Sequence, residues 1–325
     1  YKTQVTKIKD ISTQVKNDAH VAIANALERE RGSIILANEK DIAEAGHLKP
    51  AFLRRLRLDD VGIDALAANV RAVASLPDPI GDVIKMIRRP NGLRIANIRI
   101  PIGVICCIYE SRPNVTVDIA ALALKSGNAC IVRGGKEAQY TNQVLARIIS
   151  ETVASHGIPR TYMQHIAVTD HSVIPILAGL SQYIDVIIPR GGEALIDAVM
   201  SHARMPVLCH RRGVTHIYLD ETADLNMAEK IVVNAKVSNP SACNSLEKVL
   251  IDNAIAITAV PRLVTALQSV GVEVRGCEVT RQYAPGGIPC TEADWAAEYL
   301  DFVIALKVVD GLDAAIEHIG QYSTG

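Results

Sequence analysis

Residues Val104-Ile-Cys-Cys-Ile-Tyr109 form an uninterrupted apolar run that leads directly into the polar segment Glu110-Ser-Arg-Pro-Asn114. Continuous apolarity, rather than alternation, is typical of a strand that is covered on both faces. Similar runs follow at Ala129-Cys-Ile-Val132, Met163-Gln-His-Ile-Ala167 and Ile184-Asp-Val-Ile-Ile188. Helix-like segments separate them, and a spacing of about 25 residues is that of β-α-β units. The pattern therefore predicts an α/β fold with a doubly wound parallel sheet.

The chain is long enough for two domains. Its 325 residues exceed the roughly 100–200 residues of a typical domain. Before the apolar runs, the first ninety residues predict helices, including one capped by Asp18 that runs to Arg31. After those runs, further strands are predicted over Leu246–Ile251 and Phe302–Val309. The domains are expected over residues 1–215, with a helical N-terminal part, and 216–325.

Composition argues against several classes of function. The chain is 49% hydrophobic and 21% charged, with a net charge of −1, as expected of an ordinary globular protein. The net charge is near zero, so no basic surface for nucleic acid is expected, and two Phe and one Trp offer few rings on which bases could stack. No apolar run approaches the roughly 18–20 residues of a membrane span. We therefore expect a cytoplasmic protein that binds neither nucleic acid nor a membrane.

The seven cysteines do not suggest a metal site or a disulfide framework. They form no C-x-x-C pair and no Cys/His cluster at zinc spacing. Cys106, Cys107 and Cys130 lie within apolar runs, where cysteine behaves as a small hydrophobic residue, so we predict that they are core residues.

Cys243 has a different setting. It lies in a small polar turn, Ser238-Asn-Pro-Ser-Ala-Cys-Asn244, directly before the apolar run Leu246–Ile251. Chemistry often occurs on such loops, which a buried scaffold holds in place. A thiol with a pKa of about 8.5 becomes a nucleophile only where the thiolate is favoured, for example by turn N–H groups and a nearby cation. From this stretch alone, a reactive thiol and a small residue packed behind a turn both remain open.

Two glycine pairs follow predicted strands. Arg133-Gly134-Gly135-Lys136 and Arg190-Gly191-Gly192 each offer open backbone N–H groups, a helix start and a cation to a phosphate. In doubly wound sheets, ligands bind beyond the carboxyl ends of the strands. Neither segment is a G-x-G-x-x-G fingerprint or a P-loop, and a tight turn is the alternative for each. Their occurrence at the same sheet edge favours a dinucleotide site.

Six motifs together resemble the gamma-glutamyl phosphate reductases, a family within the aldehyde dehydrogenase superfamily. The match extends over essentially the whole chain, and the motifs agree in order and spacing. They are Ile100-Pro-Ile-Gly-Val104, Tyr109-Glu-Ser-Arg-Pro-Asn-Val-Thr-Val-Asp118, Lys125-Ser-Gly-Asn128, Val132-Arg-Gly-Gly-Lys-Glu137, Ile187-Ile-Pro-Arg-Gly-Gly192 and Pro240-Ser-Ala-Cys-Asn-Ser-Leu-Glu247.

The resemblance implies an aldehyde dehydrogenase-like fold with an NADPH-binding first domain and a catalytic second domain. It also implies a reaction, the NADPH-dependent reduction of L-glutamyl 5-phosphate to L-glutamate 5-semialdehyde in the second step of proline biosynthesis. A homo-oligomer, and glutamate 5-kinase as a partner, are further expectations from the resemblance.

The matching motifs also imply residue roles. Cys243 would displace phosphate and form a thioester, and Asn114 would stabilise the oxyanion together with the N–H of Cys243. The alternative role for Asn114 is a helix N-cap. Lys136, with Arg133 nearby, would favour the 2′-phosphate of NADPH. The cofactor-binding residues expected are Arg133, Gly134, Gly135, Lys136, Arg190, Gly191 and Gly192.

The sequence departs from the family pattern in two places. Ser238-Asn239 replace the Gln followed by Arg or Tyr that usually precedes the P-x-x-C motif. The family's sequence also continues beyond Gly325, with a Glu- and Phe-containing segment that holds the nicotinamide ribose and with elements used in oligomerisation. That remainder is expected to be missing here.

The segment Ser201–His216 contains no carboxylate, although hydrolytic aldehyde dehydrogenases have a general-base glutamate in this region. It contains Arg204, Arg211, Arg212 and three histidines instead. This predicts a thioester that water attacks slowly and cations that suit phosphate; a solvated turn is the alternative for the arginines. Two other functions remain open: an ordinary aldehyde dehydrogenase that hydrolyses the thioester, and a non-catalytic relative or truncated module that only binds glutamate kinase.

Overall fold

The computed structural model describes residue 8 and residues 10–46, 50–209 and 212–324. The chain divides into two compact units, Tyr1–Cys209 and His210–Gly325. Each unit has a parallel sheet of its own, and the first unit also contains an antiparallel hairpin. Within the described residues, no helix is both long enough and apolar enough to cross a membrane.

Helices fill the start of the first unit. They are α1 Thr13–Arg29, α2 Arg31–Glu44, α3 Pro50–Leu56 and α4 Asp60–Ser75. The predicted start at Asp18 is wrong, because Ser12 caps α1: its Oγ accepts a hydrogen bond from the N–H of Val15 at 3.3 Å. Asp18 lies inside the helix and accepts a hydrogen bond from Gln14 at 2.8 Å. Serine and aspartate are comparable N-caps, so local preference did not distinguish the two positions.

An antiparallel hairpin lies in part of the region where the sequence predicted helices. Its strands are β1 Val83–Arg88 and β2 Arg94–Ile98, and every residue in both is exposed. The turn between them contains Asn91-Gly92, with Gly92 at a φ of 86°. The N–H of Gly92 donates to the carbonyl of Arg89 at 2.9 Å, and glycine adopts the positive φ of this position without strain.

The sheet of the first unit consists of four parallel strands in the order β5-β4-β3-β6. The bounds are β3 Val104–Tyr109, β4 Ala129–Arg133, β5 Met163–His165 and β6 Val186–Arg190. Successive strands run outward from β3 to β5, and the chain then returns to the other side of β3 for β6. The predicted doubly wound parallel sheet is therefore confirmed. The last strand is shifted, since Ile184 is buried but precedes β6.

Four helices connect or follow these strands. They are α5 Asn114–Lys125, α6 Gln139–Ala154, α7 Val173–Gly179 and α8 Glu193–Met200. The strand side chains pack with those of the surrounding helices, α1 and α4 included, in one hydrophobic core, and Cys106, Cys107 and Cys130 are fully buried in it. The prediction that these three cysteines are core residues is confirmed.

The second unit has a five-stranded sheet in the order β10-β9-β11-β8-β7, in which all pairings are parallel. The strands are β7 Thr215–Leu219, β8 Leu246–Asp252, β9 Glu273–Gly276, β10 Ile288–Pro289 and β11 Val303–Val309. The helices are α9 Leu225–Val237, α10 Ala256–Ser269, α11 Glu278–Tyr283, α12 Glu292–Ala296 and α13 Gly311–Tyr322. This unit is the second α/β region that the sequence predicted. The predicted strands Leu246–Ile251 and Phe302–Val309 correspond to β8 and β11, whereas β9 and β10 were missed.

Candidate active site

Cys243 lies on an exposed turn between α9 and β8. Two main-chain hydrogen bonds of 3.0 Å form the turn, from Ala242 to Asn239 and from Ser245 to Ala242. The carbonyl of Ser245 also accepts a hydrogen bond from the Thr215 hydroxyl. Among the described residues, the N–H of Cys243 has no hydrogen-bond partner. The exposed turn therefore carries both a thiol and an N–H donor that no described residue uses.

Gly213 packs directly against this turn. A Cβ atom at position 213 would overlap the main-chain oxygen of Cys243, so only glycine fits there. The N–H of Gly213 donates to Glu298 Oε1 at 3.0 Å. Glu298 is half-buried and precedes Leu300, a non-glycine residue with a positive φ of 53°. The structure thus brings a carboxylate close to the Cys243 turn that the sequence did not predict, because it comes from a distant part of the chain.

A buried ion pair connects the two elements that flank the turn. Lys236, at the end of α9, and Glu247, at the start of β8, are fully buried with Nζ 3.4 Å from Oε2. Burial lowers the pKa of Lys236 and raises that of Glu247, although the attraction between them opposes both changes. Glu247 Oε1 also accepts a hydrogen bond from the N–H of Leu300 at 3.2 Å. Loss of either charge would leave the other buried and unpaired, which costs about 3–5 kcal/mol.

Lys248, the next residue of β8, is also buried. Its Nζ donates to the carbonyl of Ala297 at 2.7 Å and lies 4.2 Å from the centre of the Tyr299 ring. Burial lowers the pKa of Lys248 to about 8. The apolar run predicted from Leu246 to Ile251 therefore includes two charged residues that lie inside the protein rather than at its surface.

The three core cysteines are poor candidates for a nucleophile. Burial raises the pKa of Cys106 and of Cys107 to about 12 and raises that of Cys130 further. Their thiols thus stay protonated at neutral pH. Cys209 is exposed like Cys243, but it belongs to the first unit and lies outside a strand or helix.

The Arg190-Gly191-Gly192 turn lies where the winding of the first sheet reverses. Its strand, β6, pairs with β3, so the loops after both strands leave the same edge side by side. The N–H of Gly192, the N-cap of α8, donates to Glu110 Oε2 at 2.9 Å. A Cβ at Gly191 would lie 2.5 Å from the same oxygen. Glu110 follows β3, and its carboxylate therefore acts as an anion at the start of α8.

In the Arg133-Gly134-Gly135-Lys136 turn, one of the two cations is buried and the other is exposed. Arg133 is only 1% exposed, and its Nη2 donates to the carbonyls of Thr169 and, at 3.2 Å, Asp170. Its Nε is buried and has no partner within the described residues. Lys136, in contrast, is exposed. Of the two cations predicted to meet a 2′-phosphate, only Lys136 extends into solvent.

Asn114 is the first residue of α5, and Pro113 is the N-cap. The alternative role of Asn114 as a capping residue is therefore wrong. Its Nδ2 donates instead to Asp118 Oδ2, one turn further along the helix, at 3.1 Å. Both side chains are half-buried. The preceding loop contains Ser111, which is buried and has a positive φ of 41°. A residue held in this sparsely populated region is a feature of many functional loops.

The cations predicted near residues 201–216 are only partly described, because His210 and Arg211 lie outside the described residues. Arg204 and Arg212 are exposed, and the carbonyl of Arg212 accepts a hydrogen bond from Thr324 at 2.5 Å. His216 is half-buried in β7, where burial lowers its pKa. No group of three or more His, Cys, Asp or Glu side chains among the described residues is arranged to hold a metal.

The chain is similar to known proteins of one family. The family model for the aldehyde dehydrogenase family matches residues 16–282. The gamma-glutamyl phosphate reductase of Carboxydothermus hydrogenoformans is 47% identical over 98% of this chain and 77% of its own length. That of Moorella thermoacetica is 47% identical over 97% of this chain and 76% of its own.

A solved structure is also similar. The crystal structure of gamma-glutamyl phosphate reductase from Thermotoga maritima has a TM-score of 0.95 and 43% sequence identity, and the match covers 100% of this chain and 79% of that one. The chain therefore belongs to the aldehyde dehydrogenase family, and within it to the gamma-glutamyl phosphate reductases.

Proposed function

We propose that this chain reduces L-glutamyl 5-phosphate to L-glutamate 5-semialdehyde with NADPH and releases phosphate, through a thioester at Cys243. This is the second step of proline biosynthesis. The observation that supports the proposal most is the exposed thiol of Cys243, on a turn with a free N–H, in a chain that shares 47% of its residues with a gamma-glutamyl phosphate reductase.

An acyl phosphate suits this thiol because it has a good leaving group. The thiolate of Cys243, once its proton has passed to solvent, would attack the acyl carbon. A carbon–sulfur bond forms, the carbon–oxygen bond to phosphate breaks, and phosphate leaves with the electron pair. A nicotinamide cofactor, when bound, would supply the hydride for the second step. The carbon–sulfur bond then breaks and returns the thiolate, so that the nucleophile is regenerated.

Both steps place negative charge on the acyl oxygen, which fixed donors must stabilise. We propose the N–H of Cys243 as one donor and the Asn114 amide as the other. Asn114 Nδ2 carries two hydrogens, and the bond to Asp118 uses one of them. The same bond fixes the orientation of the amide, so the second hydrogen is available to donate to the acyl oxygen. Each such donor contributes about 10²–10³ to kcat in comparable sites.

The first unit has features that fit a nicotinamide dinucleotide. The exposed backbone at Gly191 and Gly192 begins a helix at the reversal point of the sheet, where such cofactors bind. The N–H of Gly192 already donates to a carboxylate, so it accommodates an anion. We propose that a cofactor phosphate binds here in place of the Glu110 carboxylate, and that the backbone of Arg190, Gly191 and Gly192 holds it.

We further propose that Gly134, Gly135 and Lys136 hold the adenosine end of the cofactor and give a preference for NADPH. The exposed ammonium of Lys136 suits a 2′-phosphate. Arg133 would contribute by tying its turn to the loop that follows β5, through the carbonyls of Thr169 and Asp170. Its guanidinium would therefore shape the site rather than contact the phosphate.

Other expectations are proposals of the same kind. We propose that residues 1–215 bind the cofactor and residues 216–325 provide the nucleophile, in a cytoplasmic enzyme that receives its acyl phosphate from glutamate 5-kinase. The exposed apolar residues of the β1–β2 hairpin, which include Ile84, Met86 and Ile95, favour a homo-oligomer, because contact with a second copy would remove them from water.

A second candidate function is favoured by Glu298. Its carboxylate lies close to the Cys243 turn, so a general base for hydrolysis could come from this position rather than from residues 201–216. The protein would then oxidise an aldehyde to an acid. The two functions differ in whether phosphate is a product of the reduction and a substrate of the reverse reaction.

The test is an assay in which a glutamate kinase generates glutamyl phosphate and NADPH absorbance and phosphate release are followed together. We expect both signals to depend on this chain and to appear in equal amounts. A mixture with glutamate but no kinase activity is the control. Oxidation of glutamate semialdehyde without any reduction of glutamyl phosphate would favour the hydrolytic function instead.

A further inference from the structure

A cavity of about 590 Å³ lies within the first unit, against α4, α5 and the end of β6. Most of its wall is apolar and comes from the two helices, with Val70, Val73, Val115 and Ile119 among the lining residues. Two charged side chains also line it, Asp118 from α5 and Arg190 from β6. An apolar cavity with a few polar groups is typical of small-molecule sites, where the polar groups fix the orientation of the ligand.

Asp118 has one oxygen free for a ligand. Its Oδ2 accepts the hydrogen bond from Asn114, whereas Oδ1 has no hydrogen bond within the described residues. Burial raises the pKa of Asp118, and the hydrogen bond from Asn114 and the positive charge of Arg190 partly offset the rise. A ligand cation at Oδ1 would therefore stabilise the ionised carboxylate further.

Arg190 is the complementary group. Its guanidinium is exposed at the cavity and makes no side-chain hydrogen bond or ion pair within the described part of the chain. Guanidinium groups bind carboxylates through two parallel hydrogen bonds. The cavity thus presents one anion, one cation and an apolar wall. These are the groups that an α-amino acid with a short alkyl chain would need.

We propose that Asp118 binds the α-ammonium group and Arg190 the α-carboxylate of the glutamyl substrate, and that this pair makes the enzyme specific for amino-acid acyl groups. The inference rests on the proposed function and adds the residues that recognise the substrate's remote end.

The reach of the substrate agrees with this assignment. If Asn114 donates to the acyl oxygen over about 3 Å, the acyl carbon lies near the start of α5. Asp118 is 3.1 Å from the same amide nitrogen. Four bonds separate the acyl carbon of a glutamyl group from its α-nitrogen, an extended span of about 5 Å. The ammonium group therefore reaches Asp118, and the methylene groups between lie against the apolar wall.

The test compares aldehydes in the phosphate-dependent oxidative direction. L-Glutamate 5-semialdehyde has both charged groups, 5-oxopentanoate lacks the ammonium group and 4-aminobutanal lacks the carboxylate. We expect the wild-type chain to prefer glutamate semialdehyde in kcat/KM over each analogue by about 10- to 100-fold, the value of one charge-assisted hydrogen bond. Equal kcat/KM values of the wild-type chain for all three aldehydes would overturn the proposal before any variant is made.

Variants then assign each group. Asp118→Asn should lower kcat/KM about 10- to 100-fold more for glutamate semialdehyde and 4-aminobutanal than for 5-oxopentanoate, which has no ammonium group. Arg190→Met should lower kcat/KM about 10- to 100-fold more for the two substrates with a carboxylate than for 4-aminobutanal. Glu39→Gln removes a charge from an exposed position on α2 and is the matched control. Circular dichroism checks that each variant folds.

Other outcomes separate the possible failures. An equal loss with all three aldehydes in Asp118→Asn would mean that Asp118 acts only by orienting Asn114. A rise in cofactor KM in Arg190→Met, with unchanged discrimination among aldehydes, would assign Arg190 to the cofactor instead. A wild-type chain that does not reduce glutamyl phosphate would refute the proposed function, while the preference among the three aldehydes would still decide the present inference.

Discussion

The α-carbon of Gly213 lies so close to the main-chain oxygen of Cys243 that no side chain fits between them. The N–H of the same glycine donates to Glu298 at 3.0 Å. Gly213 therefore packs against the Cys243 turn and connects it to a carboxylate from a remote segment.

We predict that Gly213→Ala lowers kcat about 100-fold, because the added methyl group must displace the Cys243 carbonyl and a shift of about 1 Å at a reacting group has an effect of this size. Single-turnover kinetics would measure it. Gly320→Ala, on α13, is the control, since a Cβ there meets no atom within 4 Å. Full activity in Gly213→Ala would show that the turn does not depend on this contact.

Cys243→Ser should lower kcat by about 10⁴-fold or more, as removal of an essential nucleophile does in comparable enzymes. NADPH binding, followed by fluorescence, should not change. Cys209→Ser is the matched control, because its thiol is also exposed. The assignment would be wrong if Cys209→Ser were inactive and Cys243→Ser kept substantial activity.

Lys136→Glu should remove the preference for NADPH. The exposed ammonium would contribute a charge-assisted hydrogen bond of about 1.5–3 kcal/mol to the 2′-phosphate, which corresponds to roughly 10- to 150-fold discrimination. The measurement is kcat/KM with NADPH and NADH in both forms. Lys40→Glu, on α2, is the control for a change of charge, although it also removes the contact of that ammonium with the ring of Tyr140. If the ratio of kcat/KM with NADPH to kcat/KM with NADH were the same in Lys136→Glu and wild type, Lys136 would not determine the cofactor preference.

Oxidation of glutamate semialdehyde with NADP⁺ should require added phosphate or arsenate, because residues 201–216 contain no carboxylate like the glutamate that activates water in hydrolytic aldehyde dehydrogenases. Glutamate formation at an equal rate without phosphate would place the protein in the hydrolytic class. Glu298→Gln would then identify the base, since it should abolish the phosphate-independent rate. If the enzyme is phosphate-dependent, thioester hydrolysis is already slow, and Glu298→Gln should not change its rate.

Much of the fold follows from local sequence. The runs at Val104–Tyr109 and Ala129–Val132 are apolar without interruption because both faces of these strands are covered, and they became the paired central strands β3 and β4. The polar turn around Cys243 was also evident from its composition, because short polar and conformationally restricted residues are typical of turns. A helix was nevertheless predicted at the β1–β2 hairpin, although its Asn91-Gly92 turn was a usable signal.

Tertiary structure decided what the site contains. Gly213 and Glu298 are 85 residues apart, and no local pattern relates them. Glu247 and Lys248 would be read as surface residues from their charge, yet they are buried, because Lys236 and the carbonyl of Ala297 become their partners only when the chain has folded. Arg133 looked like a free cation for the same reason. Sequence therefore determined where strands and turns form, since backbone and burial preferences act over a few residues. The folded chain determined which side chains are satisfied internally and which remain for a ligand, since hydrogen bonds and ion pairs depend on distance in space.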